Sequence, residues 1–409
     1  MNPEPRTPLA SGSAPVRPAN RRANSSAFYG QLHKIQGTTP PPVADEVVVT
    51  EDGKTIRITH SDTKYTIPLA SSVAVPLPLG GSSGSSGATA LVATLFYGAN
   101  AAAAADGHIT DLAIFEFIQT LDELMVPYEK SHAYHRPLDS SAAPRVVEIA
   151  FSLPQMLNLT DLRRHEDIWG FEKKWGIEVV LQRNDVFRRH KRLAVFDMDS
   201  TLIQQEVIDE IARFIGKEDL VSRITERAMN GEIDFTDSLK QRCALLRGVP
   251  ASVFDQLKPV ITITPGAREL CRALKNLGYK LAVLSGGFLP LANYIKNELG
   301  LDYAYANQLV VSPDGRELTG ELTGDIVHAE RKATLLQQIA YENGIPLHQT
   351  FAVGDGANDL KMMEIAGLGI AFNAKSMVQL EAPSHLNSAW MQDVLYILGL
   401  SKEEQAQLL

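Results

Sequence analysis

LAVFDMDSTLI, Leu193–Ile203, decides how this chain folds. Leu193, Ala194, Val195, Phe196 and Met198 are apolar or small and surround a single carboxylate, Asp197. A short continuous apolar run reads as a strand buried on both faces, the type found inside parallel sheets. The end of this strand is unusual: Asp197 and Asp199 stand two apart, with Ser200 and Thr201 beside them. A carboxylate is costly to desolvate unless a cation meets it. Something positive is therefore expected where this strand ends.

Outward from this stretch the pattern alternates. ARELCRALKNLG (267–278) reads as a helix closed by glycine, YKLAVLSGG (279–287) as a strand and LPLANYIKNELG (289–300) as a helix. ERKATLLQQIAYENG (330–344) is a further helix, QTFAVGDG (349–356) a strand, KMMEIAGL (361–368) a helix and GIAF (369–372) a strand. Glycine-closed helices between continuous apolar strands predict an α/β domain with a doubly wound parallel sheet. Residues of about 204–262 are helical in pattern and interrupt this alternation after its first strand, as an inserted cap would.

Toward the N-terminus the composition changes twice. Residues 1–42 are rich in Pro, Ser, Ala and Arg, end in TTPPPV and lack the apolar core of a secretory signal. They read as a disordered tail. EVVVTEDGKTIRITHSDTKYTI reads as strands, with EDGK as a hairpin turn, and GGSSGSSG (80–87) as a low-complexity loop. From Ala88 to Arg183 the order is β-α-β-α-β, with room for one more strand in KSHAYHRP. That order suits an α+β ferredoxin-like module and equally another small α/β packing unit. RRHKR (188–192) reads as a solvated linker into the domain that follows.

Bulk properties set limits. The 409 residues suggest about two or three domains. A net charge of -9 argues against a broad nucleic-acid surface. No apolar run is steady enough to span a bilayer. Two cysteines, Cys243 and Cys271, make neither a metal motif nor a disulfide framework, so a reducing, cytoplasmic location is expected.

Ligands of such sheets bind outside the carboxyl ends of the strands. Three strands end in polar clusters, DMDST (197–201), SGG (285–287) and GDGAND (354–359), which gathers Asp197, Asp199, Ser285, Asp355 and Asp359. Lys332 lies in the helix ahead of the third strand. Four carboxylates in one crevice need a cation, and oxygen donors without His or Cys favour Mg2+. Lys332, the Ser285 hydroxyl and the amides of Gly286 and Gly287 form an anion cradle. A metal, a lysine and amide donors around an aspartate make a site for phosphoryl transfer.

DMDST after an apolar strand, Ser285 after LAVL, Lys332, and GDGANDL after FAV resemble, in this order, the haloacid dehalogenase-like phosphatases. Within that family FDMDSTLIQQEVIDEIA, with Glu206 nine residues after the first aspartate, is similar to the start of the phosphoserine phosphatases. TERAMNGEIDFTDSLKQRCALLRG resembles their cap. The resemblance covers about residues 192–400 and implies a Mg2+-dependent hydrolysis of phosphoserine to serine and phosphate, the last step of serine synthesis. It implies that Asp197 becomes an aspartyl-phosphate and that Asp199 is the general acid and base. It further implies that Asp197, Asp355 and the backbone carbonyl of Asp199 hold the metal, with Asp359, Thr201 and Gly287 in support. Ser285, Gly286, Lys332 and Asn358 are implied to hold phosphate or water. Glu206 is implied to meet the substrate ammonium and Arg242 its carboxylate, with Met229 and Phe235 closing over them. Without the resemblance, those four cap-side residues read as a helix-dipole partner, a solvated arginine and two core side chains.

Two readings stay open beside hydrolysis of phosphoserine: transfer of the phosphoryl group to another acceptor, and hydrolysis of another small phosphomonoester. Residues 43–185 loosely resemble the ACT-like modules that precede some members, which implies an amino-acid effector and a homodimer. The resemblance places the catalytic domain at 186–409.

Overall fold

The computed structural model describes residues 46–49, 55–60, 63–68, 89–98, 107–124, 133–153, 159–229 and 232–409. The expected tail at 1–42 and loop at 80–87 lie outside them. The chain divides into two units, 1–75 and 76–409. In the first, strands β1 (Glu46–Val49), β2 (Thr55–His60) and β3 (Thr63–Pro68) pair antiparallel in that order as a sheet of their own.

The second unit begins with a four-stranded antiparallel sheet. Its strands are β4 (Thr89–Tyr97), β5 (Tyr134–Pro137), β6 (Val146–Leu153) and β7 (Ile177–Arg183), in the order β5-β6-β4-β7. With the helices Asp111–Leu124 and Glu166–Trp175 this is the βαββαβ order of a split βαβ fold. The helix expected over DLRRHEDIWGFEKKWG is two. Leu159–Arg163 stops, and His165 caps a new helix by accepting from the Asp167 N–H at 3.3 Å. Gly176, at φ 61°, then closes that helix.

Because side chains alternate along a strand, this sheet has two distinct faces. Leu91, Ala93 and Leu95 pack with Phe117, Leu121 and Phe171 of the covering helices. The opposite face carries Thr94, Glu148 and Gln182, all buried. There Phe96, Leu138, Val146 and Val180 join the core of the following domain. RRHKR is not the solvated linker its charge suggested. Arg188 and Lys191 are each only 5% exposed, because this segment crosses the interface, where Arg188 pairs with Glu148 at 2.6 Å and donates to the Ile397 carbonyl at 3.1 Å.

The second sheet is β8 (Leu193–Phe196), β9 (Lys280–Phe288), β10 (Tyr303–Val311), β11 (Leu318–Thr323), β12 (Thr350–Gly354), β13 (Gly369–Phe372) and β14 (His385–Leu386). Its order is β11-β10-β9-β8-β12-β13-β14, and every pair is parallel except β10 with β11. All four residues of β8, all five of β12 and all four of β13 are buried, which is why these runs are continuously apolar. From β8 the chain builds outward through β9 and β10, then returns to β8's other side with β12. The sheet reverses direction there, and a crevice opens at such a point.

Among the described residues, four α-helices lie between β8 and the helix Ala267–Asn276: Val207–Phe214, Glu218–Met229, Phe235–Ala244 and Val253–Leu257. Their stem is closed by an antiparallel bridge between Ile203 and Ile263. The far end rests on the β10–β11 hairpin, through a bridge from Pro250 to Glu317 and bonds between Gly248, Val249 and Leu318. None of the described helices is long and apolar enough to cross a membrane.

Candidate active site

The strand expected through Asp199 ends at Phe196. Asp197 instead opens a turn over Met198–Leu202, accepting from the Met198 N–H at 2.7 Å. Ser200 adopts φ 55°, an uncommon conformation for a residue with a side chain. Two bonds hold it there: its N–H donates to the Gln205 carbonyl at 3.2 Å and its hydroxyl to Glu206 at 2.8 Å. The turn folds Asp199 back toward the end of β9. A Cβ on Gly287 would lie 2.8 Å from Asp199 Oδ2, so only glycine leaves room for that carboxylate.

The cation that β8 demands is Lys332. Its Nζ stands 2.7 Å from Asp197 Oδ1 and 2.7 Å from Asp359 Oδ1, and the side chain is wholly buried. The helix Ala329–Glu342 carries it, with Leu335, Leu336 and Ile339 in one core with Ala282 and Leu284 of β9 and Ala352 of β12. Burial opposes the charge on Lys332, but Asp197 and Asp359 outweigh it and hold the pKa above the usual lysine value. Asp359 Oδ2 accepts from the Gly356 N–H at 3.1 Å, which engages both of its oxygens. A Cβ on Gly354 would collide with the same carboxylate.

The remaining acids are less well balanced. Burial, then Asp197 and Glu206, push Asp355 up to about 7; its Oδ1 accepts only from Thr201 Oγ1, at 3.1 Å. Burial, then Asp197, push Asp359 up to about 8. Burial, Glu206 and Asp197 raise Asp199 well above the usual aspartate value, and among the described residues its Oδ1 has no hydrogen-bond partner. Oxygens of Asp197, Asp355 and Asp359 lie within 4.8 Å of one another. This donor set fits a hard divalent cation. Since Asp359 is committed to Lys332 and Gly356, Asp197 and Asp355 are the carboxylates with an oxygen to spare.

Ser285 is fully buried at the end of β9, where its Oγ accepts from the Gly287 N–H at 2.8 Å. A Cβ on Gly286 would lie 3.3 Å from Phe235 and 3.9 Å from Asn358 Nδ2, so the cap ring and the amide both close on this loop. Phe235 and Arg242 lie seven apart on the cap helix Phe235–Ala244, hence on one face. Arg242 is half-buried with Nε unpartnered, and its charge acts on Glu206 and Asp209. Glu206 precedes the helix Val207–Phe214 but makes no capping bond there, since its carboxylate is turned to Ser200. Met229 ends the helix Glu218–Met229, and its side chain lies outside the described residues.

The structure thus brings Asp197, Asp199, Thr201, Glu206, Phe235, Arg242, Ser285, Gly286, Gly287, Lys332, Asp355, Asn358 and Asp359 to one sheet edge. Sequence reasoning passed over Thr264, whose hydroxyl donates to the Thr201 carbonyl at 2.6 Å, and Asn307, which is bonded to Gly286. It also passed over the β10–β11 hairpin. An asparagine in the middle of a strand run, and Pro-Asp-Gly at 313–315, were the available signals.

Comparison with known proteins agrees with this geometry. The family model for haloacid dehalogenase-like hydrolases matches residues 194–364. A probable phosphoserine phosphatase of Schizosaccharomyces pombe is 52% identical over 223 residues, covering 54% of this chain and 75% of the relative. The phosphoserine phosphatase of Saccharomyces cerevisiae is 41% identical over 299 residues, covering 70% of this chain and 93% of the relative. A solved HAD family hydrolase from Salmonella enterica serovar Typhi superposes with a TM-score of 0.60 at 27% identity, over 76% of this chain and 98% of that one. The chain belongs to the haloacid dehalogenase-like hydrolases, among the phosphoserine phosphatases of that family.

Proposed function

We propose that this enzyme hydrolyses O-phospho-L-serine to serine and inorganic phosphate through a covalent intermediate on Asp197. The observation that carries the reading is the unequal pair at the end of β8. Asp197 is fixed by Lys332 and the Met198 N–H, both at Oδ1, which leaves Oδ2 to react. Asp199, two residues on, has its pKa raised well above the ordinary aspartate value by burial, Glu206 and Asp197, which favours its acid form. Two carboxyls in adjacent but opposite environments divide into nucleophile and acid.

In the first step an Asp197 oxygen bonds to phosphorus as the bond to the serine oxygen breaks, and Asp199 gives its proton to that oxygen. In the second, Asp199 takes a proton from water, the water oxygen bonds to phosphorus, and the Asp197–phosphorus bond breaks. Phosphate leaves and both aspartates return to their starting states. Lys332 offsets negative charge on the transferring group, and Ser285, Gly286, Gly287 and Asn358 orient its oxygens. Mg2+, held by Asp197, Asp355 and the Asp199 carbonyl, would supply Lewis-acid stabilisation of the phosphoryl oxygens. Thr201 and Asp359 position that shell.

Glu206 recognises the substrate ammonium and Arg242 its carboxylate, while Met229 and Phe235 exclude water. Three phosphomonoesters test this division: phosphoserine, phosphoethanolamine, which lacks the carboxylate, and p-nitrophenyl phosphate. Mg2+-dependent phosphate release strongest with phosphoserine is expected. Equal turnover of all three, or phosphoryl transfer to added homoserine in place of release, contradicts it. For the domain at 43–185 we propose an ACT-like regulatory role in a homodimer, supported by the βαββαβ order of residues 89–183. Serine titrated into the whole chain should release heat, and none would remove the proposal. Two buried, unpaired thiols, Cys243 and Cys271, suit a cytoplasmic enzyme.

A further inference from the structure

The loop that offers Ser285, Gly286 and Gly287 is a bulge in β9. Tyr305 of β10 pairs with Leu284, yet Asn307, two residues on, pairs with Phe288, four residues on. The extra residues on β9 leave the ladder, and their backbone groups need other partners. Asn307 supplies one. Its Nδ2 donates to the Gly286 carbonyl at 2.7 Å. Its Oδ1 accepts from the Val327 N–H at 2.8 Å, and the residue is 2% exposed. Val327 lies just ahead of the helix Ala329–Glu342 that carries Lys332, whose own N–H donates to the His328 carbonyl at 2.9 Å.

We infer that Asn307 is a positioning residue that ties the two halves of the anion cradle, the Ser285–Gly287 bulge and the root of the Lys332 helix, at a fixed spacing. The chemistry is selective. One side chain must donate at one end and accept at the other: an amide carries the two functions on separate atoms, a hydroxyl has both on one atom, a carboxylate only accepts and an aliphatic chain does neither. By taking the Gly286 carbonyl, Asn307 satisfies an acceptor that would otherwise repel an anion at this loop. This accounts for an asparagine in the middle of YAYANQLVV, where strand preference alone disfavours it.

The inference rests on the phosphate-handling part of the proposed function and not on its serine-recognising part. The test uses the whole chain with Asn307→Asp, which keeps the acceptor for Val327 and loses the amide donor to Gly286, and Asn307→Ser, whose single shorter polar atom replaces the two-ended amide. For each, kcat and KM are measured with phosphoserine and with p-nitrophenyl phosphate. Binding of inorganic phosphate is measured by calorimetry, and the melting temperature is recorded. A shift of the loop by about 1 Å should lower kcat by about 10²-fold. The expected result is a loss of that order on both substrates, a weakening of phosphate binding by about tenfold or more, and recovered folded protein with unchanged Mg2+ affinity. Values of kcat and phosphate affinity within twofold of wild type, in whichever variant folds, overturn the inference. Turnover of p-nitrophenyl phosphate but not phosphoserine by the wild type would sink the substrate reading while leaving the phosphate measurements to decide on Asn307.

Discussion

Two buried clusters of cations and carboxylates sit in the same unit, and they are built to opposite rules. At the interface between the sheets, Glu148 is shared by Arg136 at 2.9 Å and Arg188 at 2.6 Å. The remaining guanidinium donors reach the carbonyls of Gly399 and Ile397 and the Thr94 hydroxyl. At the end of β8 a single lysine is shared by Asp197 and Asp359, with Asp199 and Asp355 close by and only partly bonded. Burial pushes the pKa of Glu148, Asp199, Asp355 and Asp359 upward. At Glu148 two arginines outweigh it and the pKa is lowered; at Asp355 and Asp359 one lysine does not, and they rise to about 7 and 8. A cluster satisfied by its own partners holds structure together. One left with surplus negative charge is prepared for a cation and a substrate.

Removing cations should separate the two clusters. Lys332→Met should lower kcat by about 10³-fold, as loss of a principal charge-stabilising donor does, read by phosphate release at saturating phosphoserine. Arg242→Lys comes next. Loss of the bidentate fork should raise KM for phosphoserine by about 10- to 100-fold, in line with about 1.5–3 kcal/mol for a charged hydrogen bond. KM for p-nitrophenyl phosphate should stay within twofold. At the other cluster, Arg188→Met leaves Glu148 buried with a single partner and should cost about 3 kcal/mol of stability by denaturant titration. Its kcat per folded molecule should match wild type; a large fall there would mean that the two clusters are coupled.

Metal and acid sharpen the contrast. Mg2+ should raise the melting temperature by relieving repulsion among Asp197, Asp355 and Asp359, and Asp355→Asn should reduce that rise. Mg2+ has no comparable place at Glu148. Glu148 has a folded-state pKa below its unfolded value. Its contribution is therefore complete above the ordinary glutamate pKa and is lost as pH falls through the lower, folded value. Glu148→Gln should flatten the acid side of the stability profile and leave the neutral region parallel to wild type; an unchanged acid limb would contradict this.

The same contrast explains what the sequence revealed. Asp197, Asp199, Ser285, Asp355 and Asp359 follow short apolar strands, so period and strand ends were enough to bring them together. Lys332 was legible as the cation those acids need. Arg188 was not, because a basic run looks solvated until a buried Glu148 forty residues upstream is seen to face it. Asn307 was hidden for a similar reason. Its partners are backbone groups freed by a bulge, and a bulge leaves no periodic trace. The fold around β1–β3 shows the reach of local pattern: alternation in TIRITH named the strands, but not which sheet they would join.

The central claim is that Asp197 is the nucleophile of a Mg2+-dependent phosphoserine hydrolase. The most direct measurement is phosphate release from L-phosphoserine, with and without Mg2+, for wild type and Asp197→Asn. The account predicts metal-dependent turnover in the wild type and a loss of at least about 10⁴-fold in the variant. Turnover that survives Asp197→Asn would contradict it.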